Sequence, residues 1–282
     1  MSSTWRFMHT GKRTPAENMA IDEAVLLAIS EHKALPTLRF YGWQPATLSI
    51  GYFQKAQDIN LEAIKAENIG FVRRLTGGRA VLHDQELTYS IIVPEDYPGI
   101  PRQVNDAYRV LSQGLMQGYR ALGLDANMVI YRNEEEESKS LVASQASTAC
   151  FDSPSWYELV VDGRKVAGSA QVRKHGVLLQ HGSLLLDHDT DQLFRLLHFR
   201  DEHTAIEMKQ RFTEKCVTIH QLLQQRNADR IVLHEIEDIF KREIANSLGI
   251  QWSEEYLSAE EQSTVERLIA HKYGHESWNL RR

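Results

Sequence analysis

Cysteine is scarce in this chain: its 282 residues include two, Cys150 and Cys216. Two thiols over that length do not make a disulfide framework, so Cys150 is expected as a free thiol. Long apolar runs are also missing. Nothing approaches the roughly twenty apolar residues that a spanning helix needs, so no membrane association is expected. The opening MSSTWRFMHTGKRTP has no apolar signal core, which with the scarce cysteine predicts a reducing, cytoplasmic setting. Positive charge is not in excess. With 32 Lys and Arg against 38 Asp and Glu the formal net charge is −6, which argues against a nucleic-acid partner while leaving room for a local basic patch. Walker A, G-x-G-x-x-G and G-x-S-x-G motifs are absent, and His175, His181, His188, His198 and His203 lack the spacing of metal ligands. Neither a metal nor another cofactor is expected.

What is present reads as an α+β chain with mixed, largely antiparallel sheets and flanking helices. WRFMHTG is a strand ending at a glycine. Thr14 and Pro15 start a helix, with Glu17 as capping-box partner of Thr14, and the following ENMAIDEAVLLAISEHK is amphipathic. TLRFYGW and ATLSIGYF are strands, and LEAIKAENIG is a short helix. FVRRL and AVLHDQELTYSIIVP flank Thr76-Gly77-Gly78-Arg79 as strand, glycine turn, strand. VNDAYRVLSQGLMQGYRALGL is a long amphipathic helix with Gly123 as its C-terminal cap. Residues 132–149 are polar and irregular, and the acidic run 134–137 reads as a solvated loop. YELVV and KVAGSAQ then flank Asp162-Gly163, a strong hairpin signal, and a second hairpin turns at His175-Gly176. From about residue 219 the pattern becomes mainly helical.

Two stretches hold residue types suited to chemistry. In FVRRLTGGRAVLHD the glycines permit close backbone approach, while Arg73, Arg74, Arg79 and His83 surround the turn with donors fit for a carboxylate or phosphate. A surface hairpin with solvated arginines is the plain alternative. In TACFDSPSWYELVVDGRKVAGSAQ, Cys150 sits among small and polar residues upstream of Lys165. A thiol of ordinary pKa near 8.5 is mostly protonated at neutral pH, and a nearby ammonium favours the nucleophilic thiolate. The hairpin at Asp162-Gly163 is a route for Lys165 to fold back towards Cys150. A buried small hydrophobe is the plain alternative, and it describes Cys216 better.

RRLTGGRAVLHD together with GRKVAGSAQ resembles the lipoate–protein ligase and octanoyltransferase superfamily, whose patterns RR-x-S/T-GG-x-AV-x-H-D and K-I/V-A/S-G-S/T-A line an acyl cleft. NMAIDEA, RFYGWQPATLSIGYFQ, HGSLLLD and KYGHESWN extend the likeness over nearly the whole chain. Within the superfamily, Cys150-Phe151-Asp152-Ser153-Pro154-Ser155-Trp156-Tyr157-Glu158 is similar to the signature of the LipM-type octanoyltransferases of Gram-positive bacteria. Arg79 stands where ligases commonly have a further glycine.

The resemblance implies a biotin/lipoate ligase-like catalytic domain over 1–248, with a helical C-terminal extension, 249–282, packed on it. It makes Cys150 the acyl-thioester nucleophile and Lys165 the group that lowers its pKa. It assigns Arg73, Thr76, Gly77, Gly78, His83, Ala167, Gly168, Ser169 and Ala170 to substrate binding. The implied donor is octanoyl–acyl carrier protein, and the implied acceptor is a lysine of a lipoyl-domain protein such as glycine-cleavage H protein. An ATP-dependent lipoate–protein ligase, an octanoyl amidotransferase between lipoyl domains and a non-catalytic acyl-carrier binding module are the alternatives.

Overall fold

A computed structural model describes residues 3–130 and 157–282. Strand β1 (Ser3–Arg13) leads into helix α1 (Pro15–Ser30), and the expected capping box closes the junction. Thr14 Oγ1 accepts from the Glu17 amide, while Glu17 Oε2 accepts from the Thr14 amide at 2.9 Å. The strand runs past Gly11, whose φ of 65° marks a local break and not an end.

The central sheet adds β2 (Thr37–Trp43), β6 (Glu86–Pro94), β10 (Ala167–Lys174), β11 (Val177–Leu185) and β12 (Ile250–Glu254) in the order β10-β11-β6-β2-β1-β12. The β10, β11, β6 and β2 contacts are antiparallel, whereas β1 lies parallel to both β2 and β12. Side-chain alternation splits each central strand between two cores. Phe40, Ile91 and Leu178 join one with α3 (Val104–Ala121), while Tyr41, Ile92 and Leu179 join the other with α1. Both faces are therefore covered, which is why β6 is buried from Glu86 to Val93. Helix α1 is less amphipathic than its sequence suggests. Asn18 to Leu26 are all buried, Asp22 and Glu23 included, because α1 is sandwiched between the sheet and the later segment Ala259–Leu268.

The glycine turn has a different topology from a simple strand–turn–strand unit. β3 (Thr47–Ile50), β4 (Gly70–Arg73) and β5 (Val81–His83) form a small sheet in the order β4-β3-β5. β4 runs parallel to β3 after helix α2 (Leu61–Ala66), and β5 pairs antiparallel on the other side of β3. The turn thus crosses over β3, and Asp84-Gln85 separates β5 from β6 in the central sheet. β7 (Asn127–Ile130), β8 (Tyr157–Val161) and β9 (Arg164–Lys165) make a third small sheet. The hairpin turns at Asp162-Gly163 and His175-Gly176 form as expected, all four residues having positive φ. Gly123, at φ 76°, follows the end of α3.

Helices begin earlier than residue 219. Asp189 and Asp201 cap α4 (Thr190–Arg195) and α5 (Glu202–Lys215), accepting from the Gln192 and Thr204 amides at 2.8 and 2.7 Å. α6 (Ile219–Gln225) and α7 (Leu233–Leu248) follow. The segment expected as a helical extension, 249–282, opens with strand β12 in the central sheet before α8 (Ala259–Leu268) and α9 (Glu276–Asn279). Among the described residues, no helix is long and apolar enough to cross a membrane.

Candidate active site

A cleft of about 450 Å³ opens between the glycine turn and the β10–β11 edge of the central sheet. Its wall is mainly apolar, with Met19, Tyr41, Trp43 and Val81 on one side and the small residues Gly168, Ser169, Ala170 and Gly182 on the other. Small residues are required there. A Cβ on Gly182 would lie 2.4 Å from the Gly168 carbonyl oxygen, and one on Gly51 would lie 2.0 Å from that of Gly78.

Two hydroxyl–histidine–carboxylate chains border the cleft. In the first, Thr76 Oγ1 is 2.6 Å from His181 Nε2, and His181 Nδ1 is 3.3 Å from Asp22 Oδ2. Asp22 also accepts from Arg39 Nη1 at 2.7 Å, Ser90 Oγ at 2.9 Å and Tyr41 at 3.1 Å. Burial pushes the Asp22 carboxyl up, but the Arg39 guanidinium and His181 outweigh it and hold the group below its ordinary value. Burial pushes the His181 imidazole down despite Asp22, and Arg74 and His83 add to the effect. An ionised Asp22 can only accept, so neutral His181 keeps its proton on Nδ1 and accepts the Thr76 hydroxyl on Nε2.

In the second chain, Ser49 Oγ is 2.7 Å from His83 Nε2, and His83 Nδ1 is 2.7 Å from Glu86 Oε1. Thr88 and Ser183 hydroxyls donate to Glu86, and the Trp43 indole stacks on the His83 ring at 4.4 Å between centroids. Arg74 ties this chain to the glycine turn. Its guanidinium donates to the carbonyls of Gly77 at 2.9 Å, Arg79 at 2.7 Å and Ser49 at 3.2 Å. An arginine used this way fixes the backbone of the turn in place.

Lys165 stands at the end of β9, just before the β10 residues that line the cleft. Its Nζ donates to Glu158 Oε1 at 3.0 Å, and both side chains are buried. The hairpin register causes this: Lys165 is paired with Val160, which brings Glu158 of the neighbouring strand alongside. The Lys165 carbonyl accepts from the Val217 amide at 3.0 Å, anchoring the lysine to the chain after α5. Tyr108 of α3 hydrogen-bonds Ser169 and feels the charges of both Lys165 and Glu158, with burial pushing its phenol up.

Among the residues expected to bind substrate, Gly78, His83, Gly168, Ser169 and Ala170 line the cleft. Thr76 and Gly77 are held at its edge by His181 and Arg74. Arg73 is not brought in. Adjacent residues at a strand end point opposite ways, and Arg73 turns outward to the carbonyls of Gly51, Gln54 and Asn279 while Arg74 faces the cleft. Ala167 is packed in the core with Leu184 and is not part of the cleft wall. Cys216 is buried, as its sequence context suggests. Cys150 lies outside the described residues, as does the polar stretch 132–149. Asp22, Ser49, Glu86 and Glu158 were not singled out from the sequence. Asp22, Ser49 and Glu158 do lie within the quoted family stretches NMAIDEA, RFYGWQPATLSIGYFQ and CFDSPSWYE, and Glu86 follows the glycine-turn motif by two residues, which is the one signal that points to them.

Residues 14–245 match the lipoyl protein ligase A/B catalytic domain. This chain belongs to that family. Two members similar to it along their full length are octanoyltransferases LipM. That of Brevibacillus brevis is 52% identical over 279 residues, 99% of each chain, and that of Bacillus subtilis is 51% identical over 280 residues, 99% of each chain. In fold, the family member resembles a bipartite lipoate protein ligase from Thermoplasma acidophilum, with a TM-score of 0.77, 24% identity and coverage of 99% and 96% of the two chains. For this lipoyl ligase A/B family member the mixed α+β architecture is therefore that of lipoate ligases.

Proposed function

We propose that this chain moves an octanoyl group from a thioester donor to a lysine of a lipoyl domain, through a thioester on Cys150. The chain is an acyltransferase of lipoate biosynthesis by its full-length kinship to the octanoyltransferases, with about half of all residues identical. The single observation that carries the finer reading is the apolar cleft whose β10 wall continues directly from Lys165. An eight-carbon tail lies against Met19, Trp43 and Val81, and the small residues at 168–170 and 182 leave it room.

The donor is octanoyl–acyl carrier protein. Attack by the Cys150 sulfur forms one C–S bond and breaks another, releasing the donor thiol, so no nucleotide is needed. The acceptor amine then forms the amide C–N bond and regenerates Cys150, giving up its proton. An amide is more stable than a thioester, which draws the sequence forward. Lys165 supplies the cation that favours the Cys150 thiolate. The acceptor is a lipoyl-domain protein such as glycine-cleavage H protein, and the covalent intermediate demands ping-pong kinetics.

The test is intact mass spectrometry of the purified protein after incubation with octanoyl–carrier protein, without ATP. The expected result is one octanoyl adduct mapping to Cys150 and absent in Cys150→Ser. Labelling of an acceptor domain from free octanoate only when ATP is supplied would instead assign ligase activity.

A further inference from the structure

Among the described residues, several buried or half-buried cations have a carboxylate at hand. Arg6 is bound to Glu261, Arg39 to Asp22, Lys165 to Glu158 and Lys272 to Glu23. One cluster departs from that pattern. Arg73 is fully buried, yet among the described residues its Nη2 has no hydrogen-bond partner, and the same holds for the buried Nε of Arg281. Arg281 is stacked between the rings of Tyr52 and Trp278, 3.8 and 3.9 Å from their centroids. Arg282 lies 5.3 Å from the Phe53 ring, and its carbonyl accepts from the Ala56 amide, next to exposed Lys55. Among the described residues, none of Lys55, Arg73, Arg281 and Arg282 forms an ion pair with a carboxylate. Burial, and then the charges of Arg281, Arg282 and Arg74, lower the Arg73 guanidinium to about 10. Asp58 feels the charge of Lys55 without pairing with it, and like charges gathered with no carboxylate in ion-pair contact cost free energy that a bound anion would return.

The cluster is next to the cleft and carries the surface expected of an interface. Phe53 is 67% exposed beside these cations, and exposed aromatic and arginine side chains are what protein contacts favour. The Tyr52 amide donates to the Thr76 carbonyl at 2.8 Å, so the shelf and the glycine turn are one piece of backbone. The chain as a whole carries −6, so a local cluster of cations stands out against that background as a place that steers an acidic partner.

We propose that the shelf formed by Lys55, Arg281, Arg282 and Phe53 docks the acidic protein that delivers the octanoyl thioester, placing its acyl arm at the glycine turn. The proposal rests on the reading of the donor as a carrier-protein thioester.

Its test compares the unaltered protein with a Lys55→Glu/Arg282→Glu double variant and with Phe53→Ala. Two donors are used: octanoyl–carrier protein, and the small uncharged thioester octanoyl-N-acetylcysteamine. Affinity for the carrier protein is measured separately by calorimetry at two salt concentrations. All three substituted side chains are exposed, and unchanged melting temperatures show that folding is kept. The expected result is a drop of roughly tenfold or more in kcat/KM and in affinity for the carrier protein, with weaker salt dependence and unchanged turnover of the small thioester. Carrier affinity that is the same in all three proteins overturns the shelf, whether or not transfer is observed. Equal losses with both donors overturn it too, and so does a shelf that binds DNA or inorganic phosphate but not the carrier. Absence of transfer from either donor to the unaltered protein overturns the octanoyltransferase reading instead, while the binding comparison still judges the shelf.

Discussion

Lys165 Nζ lies 3.0 Å from Glu158 Oε1, with both side chains 8% exposed. The two residues come from neighbouring strands of one tight hairpin. An ammonium held so closely by a carboxylate is fixed in position whatever approaches it.

Removing one partner of such a buried pair leaves an uncompensated charge, at a cost of about 3–5 kcal/mol. Glu158→Gln is therefore expected to lower the urea midpoint by a corresponding amount. Glu158→Gln/Lys165→Met should recover most of the loss, because the stranded charge is gone. If the double variant is no more stable than the single one, the pair is not coupled as its geometry indicates.

The Asp22–His181 chain predicts a definite pH response. Folding lowers the pKa of both groups, so in each case the unfolded chain binds more protons between the two values. His181 contributes stability that is complete above its unfolded value of about 6.5, and loses it as pH falls towards the lower folded value. Asp22 contributes in the same direction, starting below about 3.9. Urea midpoints measured from neutral pH downward should fall below about pH 6.5, and fall less steeply in His181→Gln. A variant that follows the parent curve in parallel would remove His181 from the explanation.

The glycines separate crowding from backbone strain. Gly51→Ala and Gly182→Ala each press a Cβ against a backbone carbonyl beside the cleft, and overpacking of this kind costs about 1–3 kcal/mol or more. Both should also depress turnover, since the turn or the β10–β11 wall must shift. Gly163→Ala meets open space at φ 72°, so its effect should be confined to about 1 kcal/mol of stability with the cleft unaltered. Paired thermal melts and transfer assays on the three variants decide the matter.

Local signals were legible without coordinates. The Thr14–Glu17 capping box, the turns at Asp162-Gly163 and His175-Gly176, and the C-terminal role of Gly123 depend on residues within a few positions of one another. So do the two motifs that carry the family likeness. Each arises from short-range sterics or from hydrogen bonds within one turn, which the chain carries wherever it folds.

Tertiary structure decided the rest, because it depends on which distant strands become neighbours. β3 inserts between β4 and β5, so the glycine turn crosses over a strand and Arg74 faces the cleft in place of Arg73. Residues 159 positions apart meet as Asp22 and His181, and β12 joins β1 from the far end of the chain. Glu158 meets Lys165 only through the hairpin register. The sequence by itself determined the family, the turns and the helix starts; long-range pairing, set by burial on both faces of one sheet, determined which side chains share the cleft.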